Sequence, residues 1–202
     1  MTLKKNPQVI SLDPELLGDV LEDIRRVGKA TGRDDVAESL TCQLQIRIDS
    51  VTERAAQSTH RPKVLQLEWA DPLLCGGHWV VEMVERAGGE SCLGSKETGS
   101  SRLDWEKVIA SQPEIIMLMP CGFDLKRAIE DVPLLLKLEG WDDIPAVRND
   151  QVFIIDADAY TSRLGPRLVT GLEIMAEIIH PEVFSGMIPG GGAVKLSDMT
   201  KT

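Results

Sequence analysis

Strand-like apolar runs alternate with helix-like segments between residues 62 and 184, and this order constrains the fold more than any other feature. The runs KVLQLEW (63–69) and QVFIIDA (151–157) predict strands, and EIIMLMP (114–120) is apolar throughout, as in a strand covered on both faces. Helical periodicity occurs between and after them, at residues 78–87, 104–111, 123–138 and 166–179. The pattern predicts a three-layer α/β lobe with a mainly parallel sheet.

A long amphipathic segment precedes this lobe. Apolar residues recur at steps of three or four from Val36 to Ala55, which predicts one long helix within residues 33–61. Such a helix would span roughly 35 Å, the width of a small domain. Its apolar stripe is narrow, so we expect it to lie against another surface and to connect two parts of a protein.

The two ends of the chain do not complete a second domain. Residues 1–32 contain a possible strand at 8–11 and a helix-like segment at 14–27, which Gly28 interrupts. One strand and one helix cannot form a domain, so we interpret this part as the end of a first lobe that begins before residue 1. Residues 185–202 lose all periodicity, and we expect a disordered tail there.

Composition excludes several classes of protein. The 202 residues carry a net charge of −10, which disfavours nucleic acid as a partner because binding to phosphates requires clustered Lys and Arg. No apolar run is long enough to span a membrane. The four cysteines follow no zinc-binding spacing, and we expect reduced, mostly buried thiols. The first residues lack a secretory signal pattern, which as it stands favours a cytoplasmic location.

Three loops that follow the predicted strands share aromatic residues and glycine. They are EWADPLLCGGHW (68–79), MPCGFD (119–124) and DADAYTSRLGPR (156–167). In parallel α/β sheets, ligands bind beyond the carboxyl ends of the strands, where such loops lie. Rigid aromatic side chains there suit a large, flat or amphipathic ligand. The aromatic residues of these loops are Trp69, Trp79, Phe123 and Tyr160.

Other interpretations of these loops are open at this stage. Packing beneath the loops would explain Trp79 and Phe123 as well as contact with a ligand does. His78 could be a base, a metal ligand or a structural donor. Cys121 sits at a possible helix start, where a thiolate is favoured, so a nucleophilic pair of Cys121 and His78 is conceivable. We expect no catalytic residue and no metal site.

A family resemblance emerges from three longer stretches of the sequence. They are GHWVVEMVERAGG, LDWEKVIASQPEIIMLMPCGFDL and IPAVRNDQVFIIDADAYTSRLGPRLVTGLEIMAEIIHPE. Together they resemble the carboxyl-terminal half of the cobalamin-binding, substrate-binding proteins of ABC importers, in the iron-siderophore and cobalamin periplasmic binding group. The stretch PQVISLDPELLGDVLEDIRRVGKATGR resembles the segment before the long helix of that family. The resemblance covers roughly residues 7–184.

The resemblance implies a non-enzymatic, periplasmic ligand-binding protein in which a long helix joins two α/β lobes around a cleft. It implies that the ligand is cobalamin or another corrinoid, while a haem or a siderophore would also suit aromatic loops. It further implies that Glu106 docks the lobe onto an ABC permease. The residues expected to face the cleft are Trp69, His78, Trp79, Cys121, Gly122, Phe123, Tyr160 and Arg163.

The resemblance also implies that this chain holds the second lobe, residues 62–184, with the connecting helix, while the first lobe is missing or belongs to a partner chain. Two rival functions differ in kind from this one. One is a small α/β enzyme that uses Cys121 and His78, and the other is an interaction module that docks through the long helix.

Overall fold

A mixed sheet of seven strands forms the centre of the fold in a computed structural model that describes residues 8–199. The strands are β1 (Lys63–Ala70), β2 (Leu73–Cys75), β3 (Glu90–Ser91), β4 (Ser101–Arg102), β5 (Ile115–Leu118), β6 (Val152–Ile155) and β7 (Ala193–Lys195). Their order is β4-β2-β1-β5-β6-β7, and β3 pairs with the first two residues of β1. The central strands β1, β5 and β6 are parallel. Strands β2 and β7 pair antiparallel with β1 and β6, and β4 pairs antiparallel with β2.

Helices cover both faces of the sheet. They are α1 (Leu17–Thr31), α2 (Asp34–Ala55), α3 (His78–Arg86), α4 (Trp105–Ser111), α5 (Leu125–Ile129), α6 (Val132–Leu135), α7 (Pro145–Arg148), α8 (Ala157–Tyr160), α9 (Arg167–Ile179) and α10 (Leu196–Met199). One apolar core joins α1, α2, α3 and α9 to the sheet, and a second core on the opposite face holds α4 to α7. The predicted three-layer α/β architecture is confirmed.

Side chains of the central strands alternate between the two cores. On β5, Met117 belongs to the first core, while Ile116 and Leu118 belong to the second. On β1, Val64 belongs to the first core and Leu65 belongs to the second. Both faces of each strand are therefore buried, which explains why the sequence runs are apolar throughout rather than alternating.

The long helix α2 lies against α9 through apolar and charged contacts. Leu44, Ile48 and Val51 form its buried stripe. Beside the stripe, the Arg47 guanidinium donates two hydrogen bonds to the Glu173 carboxylate, from Nε at 2.8 Å and from Nη2 at 2.6 Å. Arg–carboxylate pairs with two parallel hydrogen bonds fix geometry as well as adding energy, so this pair sets how α2 lies on the lobe.

The segment before α2 differs from its prediction in two respects. Residues 8–15 form no strand, and α1 continues past Gly28 to Thr31. Gly28 lies where the two helices cross, since a Cβ atom placed on it would be 2.3 Å from the Ala37 Cβ. The glycine therefore permits a close helix crossing rather than ending the helix. The interpretation of residues 1–32 as the end of a first lobe stays a prediction.

Two further segments depart from the predicted secondary structure. The first aromatic loop contains β2, which pairs antiparallel with β1 and extends the sheet. The predicted helix at 123–138 is two short helices, α5 and α6, because Pro133 cannot occupy a helix interior and instead lies in the first turn of α6.

The predicted disordered tail is partly ordered. The Glu177 carboxylate accepts hydrogen bonds from the backbone N–H groups of Gly186, Met187 and Ile188, at 3.1, 2.5 and 2.9 Å. Strand β7 then pairs with β6. Disorder is therefore the wrong prediction for residues 185–199, and residues 200–202 lie outside the described part. The missed anchor is a side chain in α9, which periodicity within the tail cannot reveal.

The Arg47–Glu173 pair yields a stability prediction. Replacing Arg47 by Leu leaves the Glu173 carboxylate, whose side chain is 14% exposed, without its ionic partner. We expect the free energy of unfolding to fall by about 2 kcal/mol in urea denaturation. The matched control is Arg25→Leu, because Arg25 pairs with the well-exposed carboxylates of Glu22 and Glu38. A loss of about 0.5 kcal/mol or less is expected there, and equal losses would contradict the assigned role.

Candidate functional site

The carboxyl ends of the three parallel strands lie side by side. Leu118 of β5 pairs with Leu67 of β1 and with Ile154 of β6, so the carboxyl ends of β5 and β6 lie level with the last part of β1, residues 68–70. The segments 68–70, 119–124 and 156–163 therefore share one edge of the sheet, which we call the rim. This is the edge where ligands bind in open parallel sheets.

Hydrogen bonds tie the rim segments together. The backbone N–H of Cys121 donates to the Glu68 carbonyl at 3.2 Å, which joins the second segment to β1. The backbone N–H of Gly122 donates to the Ser162 hydroxyl at 2.9 Å, which joins it to the third. Gly122 has a φ of +75°, a conformation that favours glycine, and both Cys121 and Gly122 are exposed.

An aromatic pair occupies the middle of the rim. The rings of Trp69 and Phe123 meet edge to face, with centroids 5.1 Å apart and planes inclined by 73°. The Arg127 guanidinium lies 4.2 Å from the Phe123 ring centroid, and the Phe123 carbonyl accepts a hydrogen bond from the Asp158 N–H at 2.9 Å. Both rings are half-buried, so they combine a fixed position with an accessible face.

Trp79 and Tyr160 connect the rim to the first core. The Trp79 indole Nε1 donates to the Thr161 carbonyl at 2.8 Å, which links α3 to the third rim segment. Both side chains are half-buried and pack against the first core. Of the two interpretations of Trp79, packing beneath the loops therefore describes its contacts better than ligand contact.

His78 is bonded to the segment that precedes β4. Its backbone N–H faces the carbonyls of Ser95 and Thr98, at 3.1 and 3.2 Å, and its ring Nδ1 lies 3.2 Å from the Lys96 carbonyl. A carbonyl oxygen only accepts, so Nδ1 carries the proton in this arrangement. His78 also has a φ of +47°, and its contacts hold segment 95–98 in place.

Two polar residues of the rim were absent from the predicted set. The Glu68 carboxylate accepts a hydrogen bond from the Ser100 hydroxyl. Burial raises the pKa of Glu68, and the Ser100 hydrogen bond and the nearby His78 charge offset part of that effect. Glu68 could be recognised in the sequence, because it places a carboxylate near the end of an otherwise apolar strand. Ser162, the partner of Gly122, carried no signal in the sequence.

Arg163 and Glu106 lie in different places. The Arg163 Nε donates to the Asp158 carboxylate at 3.0 Å, and the Arg163 side chain is 63% exposed at the rim. Glu106 is exposed in the first turn of α4, a helix of the second core, and Asp104 caps that turn. Arg163 thus belongs to a rim segment, whereas Glu106 belongs to α4.

The geometry gives no support to a nucleophilic pair. Asp124, not Cys121, is the N-cap of α5, so the predicted placement of the thiol at a helix start is wrong. No hydrogen bond joins Cys121 to His78 within residues 8–199. In the same range, no three His, Cys, Asp or Glu side chains are grouped to hold a metal ion.

The cysteines are less buried than predicted. Cys42 and Cys121 are exposed, while Cys75 is buried and Cys92 is half-buried. Burial raises the pKa of the Cys92 thiol to about 11. None of the four forms a disulfide.

Thiol alkylation tests this arrangement. With a pKa of about 11, Cys92 is roughly one part in a thousand thiolate at pH 8, and its thiolate fraction rises tenfold per pH unit up to the pKa. We expect iodoacetamide at pH 8 to modify Cys42 and Cys121 first, as followed by peptide mass spectrometry. Modification of Cys92 as fast as Cys42 would contradict the burial described.

Comparison with known proteins places the chain in a family. A family model for periplasmic binding proteins matches residues 1–159. The uncharacterised ABC transporter substrate-binding lipoprotein YvrC of Bacillus subtilis (strain 168) is 28% identical over 177 residues, which cover 85% of this chain and 53% of YvrC. The chain thus spans about half the length of this curated relative.

Solved structures show the same fold. The periplasmic haem-binding protein RhuT from Roseiflexus sp. RS-1, in apo form, is 28% identical with a TM-score of 0.69, over 85% of this chain and 65% of RhuT. The periplasmic vitamin B12 binding protein BtuF of Vibrio cholerae is 19% identical with a TM-score of 0.67, over 84% of this chain and 64% of BtuF. Since the family model matches well over half of its residues, this chain belongs to the periplasmic binding protein family.

Proposed function

We propose that the chain is a non-enzymatic ligand-binding component of an ABC importer and that the rim is one wall of its ligand cleft. The observation that carries this proposal is the Trp69–Phe123 pair, held half-exposed between loops that hydrogen bonds tie together. A site that only binds needs fixed apolar faces and a few polar groups, and the rim supplies both.

The chemistry of the rim favours a flat ligand with polar groups at its edge. The exposed aromatic faces offer stacking area, and the exposed Arg163 guanidinium is suited to carboxylate, phosphate or amide oxygens. Cobalamin or another corrinoid is our first choice, and haem is the second. Support comes from the similarity to RhuT and BtuF, whose names include haem and vitamin B12.

The rim covers one side of such a ligand. Small-molecule sites usually bury 70–90% of the ligand surface, which an open wall cannot do. We therefore propose that a second lobe or a partner chain supplies the opposite wall. Since α2 is held on α9 by the Arg47–Glu173 pair, it is suited to carry that lobe at a fixed distance.

Glu106 is our candidate for contact with the permease. Its carboxylate is exposed in the first turn of α4, a helix that contributes no residue to the rim, so a permease could contact it without using the ligand-facing side chains. A surface Glu–Arg contact contributes orientation and association rate more than affinity.

NMR signals of the tryptophan indoles test ligand binding at the rim, and they respond even when binding is weak. We expect millimolar cyanocobalamin, or haemin as the second ligand, to shift the indole N–H resonance of Trp69 in NMR spectra more than that of Trp105. Trp69 lies in the rim, whereas Trp105 is outside the rim segments, where its indole donates to the Glu139 carbonyl and stacks on Trp141.

The matched variants are Trp69→Ala and Trp105→Ala, which each remove one half-buried indole. The first should weaken ligand binding by about tenfold, and the second should leave it within about twofold. Equal effects of the two variants would contradict a ligand wall at the rim, as would the absence of any shift with either ligand.

A further inference from the structure

An apolar pocket lies between α1 and the segment that leads from the rim into α9. It has a volume of about 170 Å³. Its walls are apolar and come from Leu12, Val20, Ile24, Val27 and Leu164. Neither the ligand wall nor the proposed permease contact uses this pocket.

The mouth of this pocket is exposed and apolar. Leu12 and Leu164 are each 46% exposed, and Val27 is 42% exposed. These three come together from the segment before α1, from α1 itself and from the segment before α9. Exposed apolar side chains that cluster around a concavity are typical of interaction sites.

The pocket also contains a carboxylate with one unused oxygen. Asp23 is only 9% exposed, and its Oδ1 accepts a hydrogen bond from the Arg26 Nη1 at 2.6 Å. Arg26 is fixed in turn, because its Nη2 donates to the Ser11 carbonyl at 2.8 Å. The Asp23 Oδ2 is buried and has no partner among residues 8–199. An unsatisfied buried oxygen costs free energy, which an incoming donor would recover.

We propose that this pocket docks a partner protein by receiving a lysine side chain that is flanked by apolar residues. The four-carbon stem of lysine matches the apolar walls, and its ammonium group can donate to the Asp23 Oδ2 when the side chains that shield this oxygen from solvent move apart. A guanidinium fits less well, because its two-pronged contact needs both carboxylate oxygens and Arg26 already uses one.

Charge and exposure favour a lysine-bearing partner protein over a second copy of this chain and over a free amine. The net charge of −10 makes two copies of the chain repel, whereas a basic partner is attracted. A free amine would satisfy Asp23 but leave the exposed side chains at the mouth uncovered. A lysine between apolar residues satisfies the carboxylate and covers Leu12, Val27 and Leu164 together.

A pair of peptides tests the proposal. The probe is acetyl-Leu-Ala-Lys-Ala-Leu-amide, and its control has norleucine in place of lysine, which keeps the apolar stem and removes the ammonium group. NMR titration would follow the methyl signals of Val27 and Leu164. We expect saturable binding in which the lysine peptide is about tenfold tighter, and we expect Asp23→Asn to remove that preference.

A second variant keeps the proposal testable if Asp23→Asn does not fold. Leu164→Arg places a cation at the mouth while Asp23 and Arg26 stay unchanged, and it should weaken the lysine peptide about tenfold. Equal binding of the two peptides, no saturable binding, or a lysine preference that persists in Asp23→Asn would overturn the proposal.

Two controls distinguish a protein partner from a free amine and from the chain's own lysines. n-Butylamine binding as tightly as the lysine peptide would overturn the assignment to a protein partner. Residues 1–7, outside the described part, include Lys4 and Lys5. A chain that starts at Gln8 should bind the lysine peptide with unchanged affinity, and a tenfold gain would instead assign the pocket to the chain's own lysines.

Discussion

Parallel pairing of β1, β5 and β6 is the constraint on which the rest of the structure depends. Because these strands run in one direction and in register, the end of β1 and the segments that follow β5 and β6 lie at one edge of the sheet. The rim is a direct result, and Trp69 and Phe123 can meet only because their strands are neighbours. Burial of both sheet faces makes the strands rigid, so the rim is a preformed surface rather than a set of mobile loops.

The helical face of the lobe has its own fixed geometry. Arg47 and Glu173 orient the long helix on α9, and the Glu82 carboxylate holds the start of α1 by accepting the Leu17 N–H at 2.7 Å. Gly28 lets α1 cross α2 closely. The apolar pocket lined by Asp23 lies between α1 and the segment that leads into α9, and it shares no lining residue with the ligand wall.

The sequence predicted the parts of the fold that depend on local periodicity. Apolar runs located the three central strands, and the spacing from Val36 to Ala55 located α2. It could not show side chains that act at a distance, such as Glu177 holding residues 186–188 or Ser162 bonding to Gly122. For the site, it identified Trp69, Phe123 and Arg163 at the rim. It could not show that Trp79 points its indole N–H at Thr161, because that contact depends on tertiary packing.

The central claim is that this chain supplies one wall of a two-walled site, and calorimetry of cyanocobalamin binding to the isolated chain tests it most directly. One wall leaves much of the ligand in water, so we predict a dissociation constant weaker than about 1 µM. Submicromolar binding by the chain alone would contradict the account, because it would require a complete site within these residues.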